Sequence, residues 1–111
     1  MDNLDAYRDI VEQVLTEYAN LPHAYEDSRN QLAFDRERDN YLIMRTGWDD
    51  ARRIHGCMIH VDIIDGKVWI QRDGTESGIA YDLEQAGIAK EDIVLAFHEP
   101  NVRQYTGYAV A

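Results

Sequence analysis

The fold is decided by the stretch Trp48-Asp-Asp-Ala-Arg-Arg-Ile-His-Gly-Cys-Met-Ile-His-Val-Asp-Ile-Ile-Asp-Gly-Lys-Val-Trp-Ile-Gln-Arg-Asp-Gly-Thr-Glu76. Two runs rich in apolar residues flank Asp65-Gly66, a dipeptide that favours a tight turn with positive φ. The sequence predicts one strand from Ile54 to Ile64 and the next from Lys67 to Asp73. This stretch therefore predicts a β-hairpin whose two-residue loop fixes the register of its strands.

Cross-strand neighbours in this hairpin follow by counting outward from the loop. The predicted pairs are Ile64 with Lys67, Ile63 with Val68, Asp62 with Trp69, Val61 with Ile70, His60 with Gln71 and Ile59 with Arg72. One face then collects only apolar side chains, namely Ile59, Val61, Ile63, Val68 and Ile70. Since such a face must be buried, we expect a helix to pack on it.

The opposite face of the hairpin is mixed in character and is the candidate protein interface. Its members are Met58, His60, Asp62, Trp69 and Gln71. Because Trp and Met are enriched at protein interfaces, we expect a second layer to cover part of this face. The C-terminal segment and another subunit are equal alternatives for that layer. A two-fold homodimer through this face is one form of the second alternative.

An amphipathic helix is predicted before the sheet. Apolar residues recur at helical spacing from Leu4 to Tyr18, Asp2 or Asn3 can act as the N-cap, and Pro22 stops the helix. This helix is expected to cover the apolar face of the hairpin.

Two further strands are predicted between this helix and the hairpin. They lie near Asn30 to Arg36 and from Tyr41 to Trp48, where β-favouring side chains are frequent. Gly47 is expected to mark a bulge or the end of its strand.

Short elements are predicted after the hairpin. Thr75 can cap a helix from Glu76 to Ala86, which ends at Gly87. The apolar run Ile93 to Phe97 predicts a short buried strand or extended segment, and the tail Tyr105 to Ala111 is apolar enough to dock. The predicted fold is therefore α+β: an N-terminal amphipathic helix packed on a mainly antiparallel sheet of about four strands, followed by short C-terminal helices and a docked tail.

Charge limits the classes of partner. The 111 residues fit one domain, 1–111, with a net charge of −10. By segment, the net charge is −6 in residues 1–28, +1 in 29–72 and −5 in 73–111. Because DNA binding requires neutralisation of phosphates, this chain is a poor candidate for binding DNA alone. A basic protein partner is expected instead.

Cysteine content and hydropathy bear on the compartment. Apolar runs fall short of the roughly 18 residues that a membrane span needs, and the N-terminus does not have a secretory pattern. Cys57 is the single cysteine, so an intramolecular disulfide is impossible, and we interpret it as a small core residue. The expected location is the cytoplasm.

His60 and Asp62 are the residues closest to a metal-binding pattern. They fall on one face of a strand, roughly 7 Å apart, which suits two ligands of one metal. A third ligand from Asp73 or His98 would complete the site of a small metal-dependent hydrolase, which is the alternative to a non-enzymatic protein. However, a turn at Gly74 and a cap at Thr75 explain the sequence after Asp73 without chemistry. We therefore predict no catalytic residue, cofactor or metal ligand.

Arginines concentrate near the predicted β-hairpin. Arg52 and Arg53, with Arg45 and Arg72 on neighbouring strands, can form a basic patch on an acidic protein. Partial neutralisation by Asp49, Asp50 and Asp62 is expected.

Motifs distributed along the chain resemble one known family. They are Phe34-Asp-Arg-Glu-Arg-Asp-Asn-Tyr41, Gly47-Trp48, His55-Gly-Cys57, Asp65-Gly-Lys-Val-Trp-Ile-Gln71, Asp73-Gly-Thr-Glu76, Gly78-Ile-Ala80 and Tyr105-Thr-Gly-Tyr-Ala-Val-Ala111. In these motifs the chain is similar to the XisI family, the fdxN element excision controlling factor of cyanobacteria. The resemblance runs over essentially the whole chain.

This resemblance implies a role without catalysis. Family members are associated with programmed excision of a DNA element during heterocyst differentiation, beside a site-specific recombinase and a companion protein, XisH. The recombinase supplies the chemistry, and the family brings no catalytic residue. The resemblance therefore implies an accessory subunit that binds protein partners. An alternative is a paralogue that inhibits a nuclease-like partner by placing carboxylates where DNA phosphates would lie.

Overall fold

The predicted β-hairpin is the centre of a five-stranded sheet. The structure, a computed structural model, describes residues 3–21 and 27–111. Its main elements are helix α1 (Asn3–Ala19), strands β1 (Ser28–Asp35), β2 (Asn40–Asp49), β3 (Arg52–Ile64) and β4 (Lys67–Asp73), helix α2 (Ile79–Ala86) and strand β5 (Ile93–Leu95). Pro22 and the N-cap candidate Asp2 lie outside the described residues. The α+β fold is confirmed, with one more strand than expected.

The strands follow one another across the sheet in chain order. The first four form antiparallel pairs, whereas β5 runs parallel to β4. Parallel neighbours need a crossover, and α2 supplies it here. The run from Ile93 is thus a strand, which is one of its two predicted forms, and only its first three residues pair with β4.

The turn at Asp65-Gly66 has the predicted geometry. The φ angles are 50° and 81°, so both residues adopt the positive values of a two-residue hairpin turn. The register is as counted from Ile64–Lys67 to Val61–Ile70. Beyond that point the counted pairs are wrong.

A β-bulge in β4 shifts the register. His60 lies opposite Arg72 and Ile59 opposite Asp73, which leaves Gln71 as an extra residue. A second irregularity lies between β2 and β3, where Ile43 pairs with Ile59 and Met44 with Cys57. Met58 is the extra residue there.

Gly47 neither forms a bulge nor ends a strand. It lies within β2, between Ser28 on β1 and Ile54 on β3. A Cβ atom at Gly47 would lie 2.3 Å from the carbonyl oxygen of Asp27. Close approach of the β1 backbone therefore explains this glycine.

The hydrophobic core lies on one face of the sheet. The predicted apolar set of Ile59, Val61, Ile63, Val68 and Ile70 is buried there, together with Tyr41 and Ile43 from β2. Helix α1 adds Val11, Val14 and Leu15, and α2 adds Ile79, Ala80 and Leu83. The prediction that α1 covers the apolar face is confirmed, and α2 shares in that cover.

Helix α2 begins three residues later than predicted. Asp73 Oδ1 accepts a hydrogen bond from the Thr75 N–H at 3.0 Å, and Thr75 Oγ1 accepts one from the Gly78 N–H at 2.9 Å. Asp73 Oδ2 then accepts the Ile79 N–H at 2.8 Å. These bonds hold the segment in a turn, so Asp73, not Thr75, satisfies the first amide of the helix. The predicted end at Gly87, where φ is 122°, is confirmed.

The C-terminal tail docks, as predicted. Tyr108 packs against the core, and its hydroxyl donates a 2.6 Å hydrogen bond to Glu84 Oε2. The Ala109 N–H donates to the carbonyl of Ile93 at 2.8 Å, which places the tail beside β5. Among the described residues, no helix has the length and apolar character needed to cross a membrane.

Candidate protein-interaction surface

The face of the sheet opposite the core carries the candidate interaction surface. Alternation along the strands places Leu42 and Met44 on this face, whereas their neighbours Tyr41 and Ile43 are buried beneath the helices. Across the ladder, Leu42 pairs with His60 and Met44 with Cys57. We call this surface the open face; it comprises Leu42, Met44, Trp48, Cys57, His60, Asp62, Trp69 and Gln71.

A small polar network is at the centre of the open face. His60 Nε2 lies 2.9 Å from Asp62 Oδ1, and the Gln71 side-chain amide donates to Asp62 Oδ2 at 3.3 Å. The side chains of His60 and Asp62 are 33% and 17% exposed. Both carboxylate oxygens are therefore engaged, and the network presents a fixed polar surface.

Trp69 lies beside this network and is partly covered by the C-terminal segment. The guanidinium carbon of Arg103 is 5.6 Å from the centre of the Trp69 ring, within cation–π range. Arg103 donates hydrogen bonds to the carbonyls of His98 and Ala96, both at 3.0 Å, which hold the guanidinium over the ring. The expected second layer is thus present in part, and it comes from the same chain.

Met58 does not lie on the open face, contrary to the prediction. It packs against the core and lines a cleft with Tyr18, Leu21 and Gly74 on the helix side. The bulge between β2 and β3 re-aims this side chain, because one extra residue reverses the alternation. The other four predicted interface residues, His60, Asp62, Trp69 and Gln71, are brought together.

Trp48 is an interface candidate that the sequence prediction missed. Its side chain is 49% exposed, and the guanidinium of Arg53 lies 5.2 Å from the ring centre. Alternation along β2 places Trp48 on the same side as Leu42 and Met44. The period-two alternation of β2 in the sequence is the signal that puts Trp48 on the same side as Leu42 and Met44.

The candidate metal ligands of the hydrolase alternative are not assembled among the described residues. Asp73 is occupied by the amides at the start of α2, and the His98 ring packs against Phe97 with ring centres 4.7 Å apart. In residues 3–21 and 27–111, no group of three or more His, Cys, Asp or Glu is arranged to hold a metal ion. Of the four candidate ligands, only His60 and Asp62 are in contact, and the contact is with each other.

Cys57 is on the open face and not in the core, so its interpretation as a core residue is wrong. The side chain is half-buried, and its Sγ donates to the carbonyl of Ile59 at 3.3 Å. Burial raises the pKa of the Cys57 thiol, and the nearby charge of Arg72 offsets part of that rise. The thiolate is therefore disfavoured.

The predicted basic patch is assembled at the far end of β2 and β3. One cleft is lined by Arg45, Arg52, Arg53 and Arg72. Asp49 forms an ion pair with Arg52 at 3.2 Å, as expected, whereas Asp62 faces His60 and Gln71 instead. Asp50 takes part in none of the ion pairs among the described residues. Of the three expected acids, Asp49 is the one seen paired with an arginine of the patch among the described residues.

These features define a two-layer α+β protein with helices on one face of its sheet and a mixed polar and apolar surface on the other. Comparison with protein families identifies it further: the model of the family described as XisI protein matches residues 1–110. The chain belongs to the XisI family.

Solved structures agree with this assignment. The crystal structure of a XisI-like protein from Anabaena variabilis matches with a TM-score of 0.89 and 42% identity, over 97% of this chain and 99% of that one. The fdxN element excision controlling factor XisI from the same organism matches with a TM-score of 0.85 and 34% identity, over 99% and 100% of the two chains. Comparison with curated proteins gives no match.

Proposed function

We propose that this protein is a non-enzymatic accessory factor in programmed excision of a DNA element, and that it acts in the cytoplasm by binding a protein partner through the open face. The partner is a XisH-like companion or a site-specific recombinase. Similarity to an excision controlling factor supports the process. The observation that carries the binding mode is the open face itself: helices α1 and α2 pack on the opposite face, and the C-terminal segment reaches the open face at Trp69.

The side chains of the open face suit protein recognition. Leu42 and Met44 are only half-buried, and Trp48 is 49% exposed at the end of the same row. Aromatic residues and methionine are enriched in protein interfaces, where they supply apolar area. The fixed network of His60, Asp62 and Gln71 adds polar groups that can set orientation.

The charge supports a protein partner over DNA. A net charge of −10 opposes binding to phosphates, which depends on clustered Lys and Arg. The inhibitor alternative draws less support, because the acids of α1 are engaged. Arg8 pairs with Asp5, and Arg36 pairs with Asp9 and Glu12. These carboxylates do not form a free row that resembles DNA phosphates.

The experiment is to purify the protein with and without the XisH-like companion and to measure complex formation by size-exclusion chromatography with light scattering. Trp48→Ala and Trp69→Ala are expected to weaken the complex roughly tenfold or more, as central aromatic residues do. Tyr81→Ala is the matched control, because Tyr81 is 62% exposed but lies on α2, on the other layer.

Two results would contradict the proposal. If the wild-type proteins elute separately, the accessory role through this companion fails. If the complex forms but all three variants bind equally, the open face is not the contact. A mass of two copies without the companion, lost on Trp48→Ala, would indicate a homodimer on this face.

A further inference from the structure

Strand β3 is longer than its neighbour β4, and among the described residues the first half of β3 has a strand on one side only. β3 spans Arg52–Ile64, whereas β4 pairs only with residues from Ile59 onward. The Gly74 N–H donates to the Met58 carbonyl at 2.7 Å, and the chain then turns toward α2. In residues 3–21 and 27–111, β2 is the only strand that pairs with residues 52–57.

The free side of β3 carries backbone hydrogen-bonding groups. Asp49 and Arg52 pair around a two-residue loop. In an antiparallel ladder, hydrogen-bonded pairs alternate with pairs whose N–H and C=O groups point outward, and the pair next to the loop, Asp49 with Arg52, is hydrogen-bonded. The N–H and C=O groups of Arg53, His55 and Cys57 therefore point away from β2. Such an edge is a template for another strand. The space beside it is open, since a Cβ atom at Gly56 would meet nothing within 4 Å.

The surroundings of this edge are cationic on an otherwise acidic protein. A cleft of about 370 Å³ follows the edge and is lined by Arg45, Arg53 and Arg72, with His55 between them. Arg45 donates to the neutral side chain of Asn30, and Arg53 stacks on Trp48, so neither of these contacts neutralises a charge. An acidic segment is thus complementary to the cleft, whereas a second copy would bring two arginine clusters together.

We propose that an extended, acidic segment of the partner protein pairs with residues 52–57 of β3 as an added strand. This proposal rests on the proposed function and names a main-chain contact along the edge of β3, distinct from the side-chain contacts of the open face. Main-chain hydrogen bonds to Arg53, His55 and Cys57 supply affinity, and the arginines select acidic side chains. Nucleic acid is the less favoured occupant, because a strand edge offers it no ladder.

The edge is tested with one backbone variant and its matched control. His55→Pro removes an outward N–H while leaving the β2–β3 ladder intact, because proline is tolerated on the free side of an edge strand. His55→Ala removes the same side chain and keeps the N–H. We expect His55→Pro to weaken binding of the XisH-like companion roughly tenfold or more, and His55→Ala to change it less than about twofold. Hydrogen exchange of the Arg53, His55 and Cys57 amides should slow in the complex.

Charge is tested with Arg72→Ala against Arg38→Ala. Arg72 is at the edge, whereas Arg38 is 74% exposed in the loop between β1 and β2 and pairs with Asp35. Only Arg72→Ala is expected to weaken the complex. A second probe, an eight-residue peptide of alternating Glu and Val, should shift the NMR signals of the same three amides, and a Lys and Val peptide should not.

The outcomes separate this inference from the proposed function. If the companion binds both His55 variants and wild type equally, with no slowed exchange, the edge inference fails and the accessory role stands. If the companion does not bind at all, the accessory role fails. The peptide titration then tests by itself whether the edge of β3 accepts an acidic added strand. Absence of amide shifts with the acidic peptide overturns the inference.

Three other results identify a different occupant or role for the edge. Equal binding of a DNA oligonucleotide to wild type and His55→Pro, with shifts at the arginines, assigns the cleft to nucleic acid. A homodimer that dissociates in the His55→Pro variant assigns the edge to a second copy of this chain. Self-association of Arg72→Ala, with no peptide binding by wild type, shows that the arginines only protect the edge.

Discussion

The two faces of the sheet differ sharply although they share the same strands. Ile43 is fully buried under the helices, whereas the next residue toward the N-terminus, Leu42, is half-buried on the open face. The covered face packs against α1 and α2. On the open face, cover by the C-terminal segment lies at the β4–β5 end, where Arg103 sits over the Trp69 ring and Val94, opposite Trp69 on β5, is fully buried. One face therefore supplies most of the packing, and the proposed function assigns recognition to the other.

The sharpest test of this division compares Ile43→Ala with Leu42→Ala. Ile43→Ala leaves a cavity under the helices and should lower the free energy of unfolding by about 3 kcal/mol. Leu42→Ala removes a side chain of the same size from the open face and should lower it by less than about 1 kcal/mol. Urea denaturation followed by circular dichroism measures both. Equal losses would mean that the open face is packed as tightly as the core.

A second comparison concerns the two glycines of β2 and β3. A Cβ atom at Gly47 would lie 2.4 Å from Ser28 Cα, whereas at Gly56 nothing lies within 4 Å. Gly47→Ala should therefore destabilise the protein by about 2 kcal/mol, since backbone atoms must move. Gly56→Ala should change stability by less than about 0.5 kcal/mol. Thermal unfolding of the two variants measures this difference. Similar midpoints would show that β1 does not approach Gly47 closely enough to exclude a Cβ atom.

Much of the covered face was predictable from sequence, for a physical reason. Burial of one strand face produces a period-two pattern, and Asp65-Gly66 fixes the register near the turn. The two bulges were not predictable, because they fall where that pattern carries no information. Met58 lies among apolar neighbours, and Gln71 is followed by polar ones, so an extra residue leaves the pattern unchanged.

The open face was predictable only in part for the same reason. Asp62 and Trp69 were found because they lie within the register that the turn fixes, and His60 and Gln71 share their face although the predicted His60–Gln71 pair is wrong. Met58 was misplaced by its bulge, whereas Trp48 lies in β2, whose alternation the bulge in β3 does not interrupt. The start of α2 was also wrong, because Thr75 suits an N-cap locally, but Asp73 reaches the Ile79 amide from the end of β4.

Asp73 gives the third comparison, between a capping and a catalytic role. Asp73→Ala should lower the free energy of unfolding by about 1–2 kcal/mol, because α2 loses the acceptor of its first amide. Asp73→Asn keeps one oxygen and should lose about half as much. Asp82→Ala is the control, since Asp82 is exposed in the first turn of the same helix. A stable Asp73→Ala variant that binds a metal less well than wild type would contradict the capping assignment.

The smallest expected effect concerns the ion pair that ties α1 to the loop between β1 and β2. Arg8 Nε donates to Asp39 Oδ1 at 2.7 Å, with side-chain exposures of 20% and 16%, and the hydroxyl of buried Tyr41 donates to the same oxygen at 2.9 Å. The Arg8 guanidinium, followed by the Tyr41 hydroxyl, lowers the pKa of Asp39 in the folded state, although burial opposes the shift. A lowered folded pKa contributes stability above the unfolded value of about 3.9, and this contribution disappears as pH falls through the folded value.

Asp39→Asn should therefore lower the free energy of unfolding at neutral pH by on the order of 1 kcal/mol or less, because the pair is partly solvated. The difference between wild type and variant should shrink once pH falls below about 4. Asn is a suitable replacement because it tolerates the φ of 56° found here. Asp50→Asn, at a φ of 52° in an exposed turn, controls for the backbone. Urea denaturation at several pH values measures the difference; a constant difference down to pH 2 would mean that the Asp39 charge does not hold α1 against the sheet.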